Sequence, residues 1–117
     1  MKAFTRVIGK GAEHTAARFL QEKGYTILEQ NFGNKFGEID IIAQDKDVIV
    51  FVEVKSKTGK QFGSPEEMVY PRKLSRIRRM ATQYLQGKHL PCRIDVVAVV
   101  LGEGEEVERL THYENVY

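Results

Sequence analysis

The 117-residue chain has one cysteine, no tryptophan, three prolines and no long hydrophobic run. A lone Cys92 excludes an internal disulfide and any multi-cysteine zinc site, and it fits a reducing compartment. No apolar stretch approaches the ~18 residues of a membrane span. The first residues, MKAFTRVIGKGAEH, lack the continuous apolar core of a signal peptide, so a cytoplasmic protein with no membrane association is expected. Walker A and GxGxxG loops are missing, as are a His/Cys cluster and a Ser/His/Asp set, which removes the common nucleotide-binding and triad chemistries. Low-complexity segments, repeats and linkers are also missing, and the length fits one domain spanning 1–117 around one core.

What is present is unevenly distributed charge. The net charge is only +2, yet Lys55 to Arg93 holds ten Lys/Arg against two acidic residues, whereas Glu103 to Tyr117 holds five Glu against one Arg. A basic middle and an acidic tail suggest one positive face on a balanced domain, although an ordinary solvated face has the same composition.

The most informative stretch is Phe36 to Lys55, FGEIDIIAQDKDVIVFVEVK. Two β-branched runs, Ile39–Ala43 and Val48–Val54, flank Gln44-Asp45-Lys46-Asp47 and predict a hairpin. Asp40, Glu53 and Lys55 interrupt the apolar runs. A strand built only for a core would not carry them, because burying an unpaired charge costs several kcal/mol. Strand parity puts Glu53 and Lys55 on the face of Ile49 and Phe51, and Asp40 with Glu38 and Ile42. Register then decides the rest. A two-residue Lys46-Asp47 turn, pairing Asp45 with Val48, sets Asp40 opposite Glu53; a plain three-residue loop puts the carboxylates on opposite faces. Two carboxylates beside an ammonium suit a hard divalent cation such as Mg²⁺.

Along the chain, a first helix is expected from Gly9 to about Lys23, stopped by Gly24, with Ala12, Ala16, Ala17, Phe19 and Leu20 facing inward. Glu13 lies on or beside that stripe, where it can reach the hairpin's carboxylates; the same position also fits a first-turn glutamate favoured by the helix dipole. His14 is expected to face solvent. Tyr25 to Phe32 reads as a strand, with Glu29 on the surface, and Glu38 as either a metal helper or a rim charge. Ser56 to Gly63 reads as a basic, glycine-punctuated loop whose Lys57 and Lys60 can meet phosphates, or which merely connects. Ser64-Pro65-Glu66-Glu67 is a helix-start signature. Pro71 opens a second helix to about Gln86, with Leu74, Ile77, Ala81, Tyr84 and Leu85 inward and Arg72, Lys73, Arg76 and Arg79 as phosphate contacts. Arg93 to Leu101 is expected as a buried strand reached by a helical crossover, with Arg93 and Asp95 on one face as a structural pair or a site extension. An edge strand is expected from Glu106 to Tyr113, with His112 inert.

The spacing of Asp40 to Glu53-Val54-Lys55 resembles the PD-(D/E)xK nuclease superfamily, with Ile39 in place of the eponymous proline. The wider pattern of Gly37-Glu38-Ile39-Asp40-Ile41-Ile42-Ala43, Val50 to Lys55 and Arg93 to Val97 is similar to the YraN-like family of small uncharacterised proteins. That resemblance covers nearly the whole chain. It implies an α/β fold of order αβββαββ: a restriction-endonuclease-like core with a central mixed sheet flanked by helices, as in archaeal Holliday-junction resolvases. It further implies a Mg²⁺-dependent endonuclease, with Mn²⁺ as a substitute metal, acting on branched or structured DNA. The implied catalytic residues are Glu13, Asp40, Glu53 and Lys55, with Asp40, Glu53 and the Val54 carbonyl holding the metal. A homodimer would match the two-fold symmetry of a junction. A nucleic-acid-binding or adaptor module without cleavage, and a purely structural or interaction role, are the alternatives.

Overall fold

The computed structural model describes the backbone of residues 2–35, 37–58 and 71–116. The elements are α1 (Lys2–Glu22), β1 (Thr26–Asn34), β2 (Gly37–Asp45), β3 (Val48–Thr58), α2 (Pro71–Leu85), β4 (Cys92–Leu101) and β5 (Val107–Tyr113). The sheet order is β1-β2-β3-β4-β5. All neighbours are antiparallel except β3 and β4, which run parallel. A parallel pair needs a crossover, and α2 lies within it. The order αβββαββ and the mixed sheet are as expected, and the architecture is consistent with a restriction-endonuclease-like core. No helix among the described residues is long and apolar enough to cross a membrane.

Two apolar layers hold the sheet. In one, Ala12, Ala16, Ala17 and Leu20 of α1 pack with Ile41, Ala43, Val50, Val52, Val97, Val99 and Leu101. In the other, Leu74, Ile77 and Met80 of α2 pack with Ile39, Ile42, Ile49, Phe51, Ile94, Val96 and Ala98. Strand alternation sends odd β3 residues to the α2 layer and even ones to the α1 layer, so the two helices cover opposite faces. Met80 joins the α2 stripe in addition to the residues expected there, with Ala81, Tyr84 and Leu85 at its margin.

Helix α1 starts at Lys2, earlier than expected. Gly9 and Gly11 each weaken a helix by about 1 kcal/mol, but propagation from an already packed segment needs no new nucleus. Its end is as expected. Gly24 takes φ +104°, Tyr25 N–H donates to Leu20 C=O (2.9 Å) and Gly24 N–H to Gln21 C=O (3.0 Å). This double bond pattern closes the last turn, and Tyr25 and Leu20 are buried together beneath it. Gly24→Ala is expected to lower stability by about 1 kcal/mol, because a Cβ is strained at that φ. Urea denaturation reads this, and an unchanged midpoint would show that the turn tolerates a side chain.

Strand β3 differs most from expectation. Ser56, Lys57 and Thr58 do not begin a loop but continue the ladder, opposite Val99, Val100 and Leu101. Polar local sequence is overridden here by a neighbouring strand with free backbone groups to pair. Lys60 and the Ser64–Glu67 signature lie outside the described residues.

Candidate metal centre

The hairpin turn has the even length that the site requires. Asp45 pairs with Val48, and the ladder continues to Ile41 opposite Val52. Lys46 takes φ 59°, the positive value needed at the first central position of a two-residue hairpin turn. Gln44 Nε2 donates to the Lys46 carbonyl (2.9 Å) across it.

Past Ile41 the strands part. Ile39 and Ile41, two residues apart, belong to opposite apolar layers, so β2 turns over at Asp40. The β1·β2 ladder also skips this point: Gln30 pairs with Ile41 and Phe32 with Ile39, leaving Asn31 and Asp40 out. Asn31 has φ 55°, a left-handed conformation that asparagine tolerates better than most residues. In the gap, the Asp40 carboxylate replaces backbone pairing: its Oδ2 accepts the Val54 N–H at 2.8 Å. A strand residue's N–H and C=O point the same way, so the Val54 carbonyl also faces this gap.

Four acidic side chains gather here. Glu53 from β3 is 5% exposed. Glu53 and Glu13 both lie within hydrogen-bonding reach of Asp40. The Asn31 amide nitrogen, turned toward the carboxylates, donates to Glu13 Oε2 (2.8 Å) and Glu38 Oε1 (2.6 Å). Burial first, then the Asp40 charge, pushes the Glu53 carboxyl up to about 8, with Lys73 and Lys55 partly offsetting the rise. Burial and Asp40 likewise push Glu13 up to about 7, with Glu38 adding to the rise and Asn31 opposing it. Lys55 is held below its ordinary value by burial and by neighbouring Lys73, against the pull of Glu53 and Asp40.

The structure therefore brings together Glu13, Asp40, Glu53, Lys55 and the Val54 backbone. It also brings in two residues that sequence reasoning placed elsewhere or passed over. Lys73, expected among the phosphate contacts, has a side chain 20% exposed, and its Nζ stands 3.4 Å from Glu53 Oε2. An inward position on α2, one residue before Leu74, was the available signal. Asn31 was marked only by being a poor strand former inside a strand. Arg72, Arg76, Arg79 and Lys57 are exposed. On β3, Lys57 follows Lys55 by two residues and lies on the same side of the sheet. Glu38, Glu29 and His14 are exposed as well.

Glu53 Oε2 is buried and has no hydrogen-bond partner among the described residues; the Lys73 contact is an ion pair without hydrogen-bond geometry. Hard oxygen donors converging on such an atom match what Mg²⁺ requires.

A second polar cluster lies in the α1 layer. Asp95, fully buried, accepts Arg93 Nε (3.0 Å) and Asn115 N–H (2.9 Å) on Oδ1, and His112 Nε2 (2.7 Å) on Oδ2. Lys23 Nζ is 2.9 Å from His112 Nδ1; since the ammonium can only donate, Nδ1 accepts and Nε2–H faces Asp95. Arg93 reaches Tyr25 Oη (2.6 Å), and that hydroxyl donates to Glu114 Oε1 (2.8 Å). His112, expected to be inert, is a buried part of this network; nothing in its local sequence signals that. Asp95, His112 and Glu114 offer ligand atoms within 4.8 Å of one another, but Arg93 already occupies the cluster as its cation. Arg93 and Asp95 meet as an ion pair (3.0 Å) inside this network.

A profile described as "Uncharacterised protein family UPF0102" matches residues 12–99, which include Glu13, Asp40, Glu53, Lys55, Lys73 and Asp95. A UPF0102 protein of Pelotomaculum thermopropionicum is 42% identical over 115 residues, covering 96% of both chains. One from Syntrophus aciditrophicus is 52% identical over 104 residues, covering 86% of this chain and 82% of its own. Another, from Rhodococcus jostii, is 41% identical over 107 residues, covering 89% and 91%. With the profile spanning most of the chain and relatives matching it nearly end to end, the protein belongs to the UPF0102 family.

Proposed function

We propose that this protein is a divalent-metal-dependent nuclease of the PD-(D/E)xK type, acting on structured or branched DNA. The observation that carries the reading is the gap between β2 and β3, where Asp40 accepts the Val54 N–H and lies beside Glu53, whose Oε2 is buried without a hydrogen bond among the described residues, with Lys55 close to both. Asp40, Glu53 and the Val54 carbonyl would hold Mg²⁺ or Mn²⁺. When bound, the ion supplies Lewis-acid polarisation of a phosphoryl oxygen and acidifies water.

The remaining work falls to the chain's own groups. Glu13, hydrogen-bonded within the acidic cluster, orients a water molecule on the α1 side. Lys55, held close by Glu53 and Asp40, stabilises hydroxide and the charge that develops on the phosphate. Lys57, exposed on the same side of β3, and Arg72, Arg76 and Arg79 on α2 supply phosphate contacts along the backbone of the nucleic acid.

The test is an assay with linear, flap and four-way DNA in Mg²⁺ and Mn²⁺, comparing wild type, Asp40→Asn and Lys55→Ala. Metal-dependent nicking by wild type that both variants lose is the expected result. Equal nicking by all three would point to a contaminant and remove this assignment. The Glu53–Lys73 ion pair favours a second reading, because it balances the buried carboxylate without any metal. Under that reading the domain binds DNA and does not cut it: binding is salt-sensitive and survives both EDTA and Asp40→Ala.

A further inference from the structure

Resting on the metal reading above, we propose that Lys73 is a cation gate that occupies the metal's place at Glu53 and couples metal binding to DNA engagement. Lys73 stands in the first turn of α2, two residues after Pro71. The positive end of the helix dipole disfavours an ammonium there. What opposes this is Glu53 Oε2, 3.4 Å away, the same buried oxygen that has no hydrogen bond among the described residues.

A Mg²⁺ ion coordinated by that oxygen would stand about 2 Å from it and keep several waters. An ammonium at its present distance would overlap that shell, and its like charge would be repelled. Metal and Lys73 therefore exclude one another at Glu53. Lys55 makes the exclusion stronger, because it already faces Lys73 across the site.

Once displaced, Lys73 has a short path outward. Its neighbours on α2, Arg72 and Arg76, are exposed. Swung to that side, its ammonium joins the row that meets phosphates, so a bound metal frees one more phosphate contact. The free energies are reciprocal: DNA that engages Lys73 clears the site for the metal, and metal at the site tightens DNA. Without DNA the lysine keeps Glu53 paired and the centre weakly metal-binding.

Calorimetric titration of Mn²⁺ into the full chain tests the gate without any cleavage readout. Lys73→Gln and Lys73→Met should bind Mn²⁺ about tenfold more tightly than wild type, within the range typical of site couplings. Lys73→Arg should stay near wild type, and Asp40→Asn should lose binding. In parallel, binding of a fluorescent four-way junction should tighten on adding Ca²⁺ for wild type but not for Lys73→Gln. Mn²⁺ affinity unchanged or weakened in both neutral variants, with Asp40→Asn still losing the ion, overturns the gate while leaving the metal centre standing. Full Mn²⁺ binding by Asp40→Asn overturns the metal centre and the gate together.

Discussion

Asp95→Ala is expected to lower the unfolding free energy by about 3–5 kcal/mol, the cost of leaving buried charge-paired groups without their partner. Three donors converge on this carboxylate from β4, β5 and the segment after it: Arg93, His112 and the Asn115 N–H. Removing it leaves His112 and the Asn115 N–H without this acceptor, while Arg93 keeps only Tyr25 and the outlying Asp45 and Glu114 carboxylates. Thermal or urea denaturation reads the loss, with a melting-point drop of roughly 10–20 °C for a domain of this size. Asp95→Asn should recover little. Its amide would set an N–H against His112 Nε2–H, and the alternative tautomer would set Nδ1–H against the Lys23 ammonium. A loss below about 1 kcal/mol for Asp95→Ala would show that the network is peripheral to stability. Burial alone would raise the Asp95 carboxyl, but the His112, Asn115 and Arg93 hydrogen bonds together win and hold it below its ordinary value. A depressed folded value means that this contribution is fully present above about pH 4 and is lost as pH falls through the folded value.

The metal-free protein should show the opposite dependence at its other polar centre. Glu53 is raised from 4.5 to about 8 and Glu13 from 4.5 to about 7. Across those intervals the folded state holds more protons than the unfolded state, so stability falls as pH rises from about 4.5 to about 8. The metal-free melting temperature should therefore be higher near pH 6 than near pH 8. Mg²⁺ should reverse this order. The ion binds the deprotonated carboxylates, so its stabilisation is greatest at high pH; it reaches about 3 kcal/mol at roughly a hundredfold excess over Kd. Proton release on binding should appear as a titration enthalpy that depends on the buffer. In Asp40→Asn, which lacks one of the charges that raise Glu53, the metal-free pH slope should flatten and the Mg²⁺ effect should vanish. A flat metal-free profile in wild type would mean that the carboxylates are solvated, and that the gap between β2 and β3 is not enclosed.

Much of this protein was legible from short windows of sequence. An even Lys46-Asp47 turn sets which side of the sheet Asp40 and Glu53 share, because strand parity has a period of two and a turn fixes its phase. Gly24 and Pro71 mark helix ends through backbone conformations that few other residues supply. Alternation and helical spacing pick out both apolar layers. Each of these signals acts over a few bonds, so neighbouring residues suffice to read it. Tertiary structure alone decided the turnover of β2 at Asp40, the three residues that β4 adds to β3, the Asn31 amide between Glu13 and Glu38, and the placement of Lys73 on Glu53 and His112 on Asp95. The side-chain contacts among these join separate elements. They depend on how far a helix is shifted along the sheet and which way a side chain leans. Packing of the whole chain sets those quantities, and no local propensity encodes them.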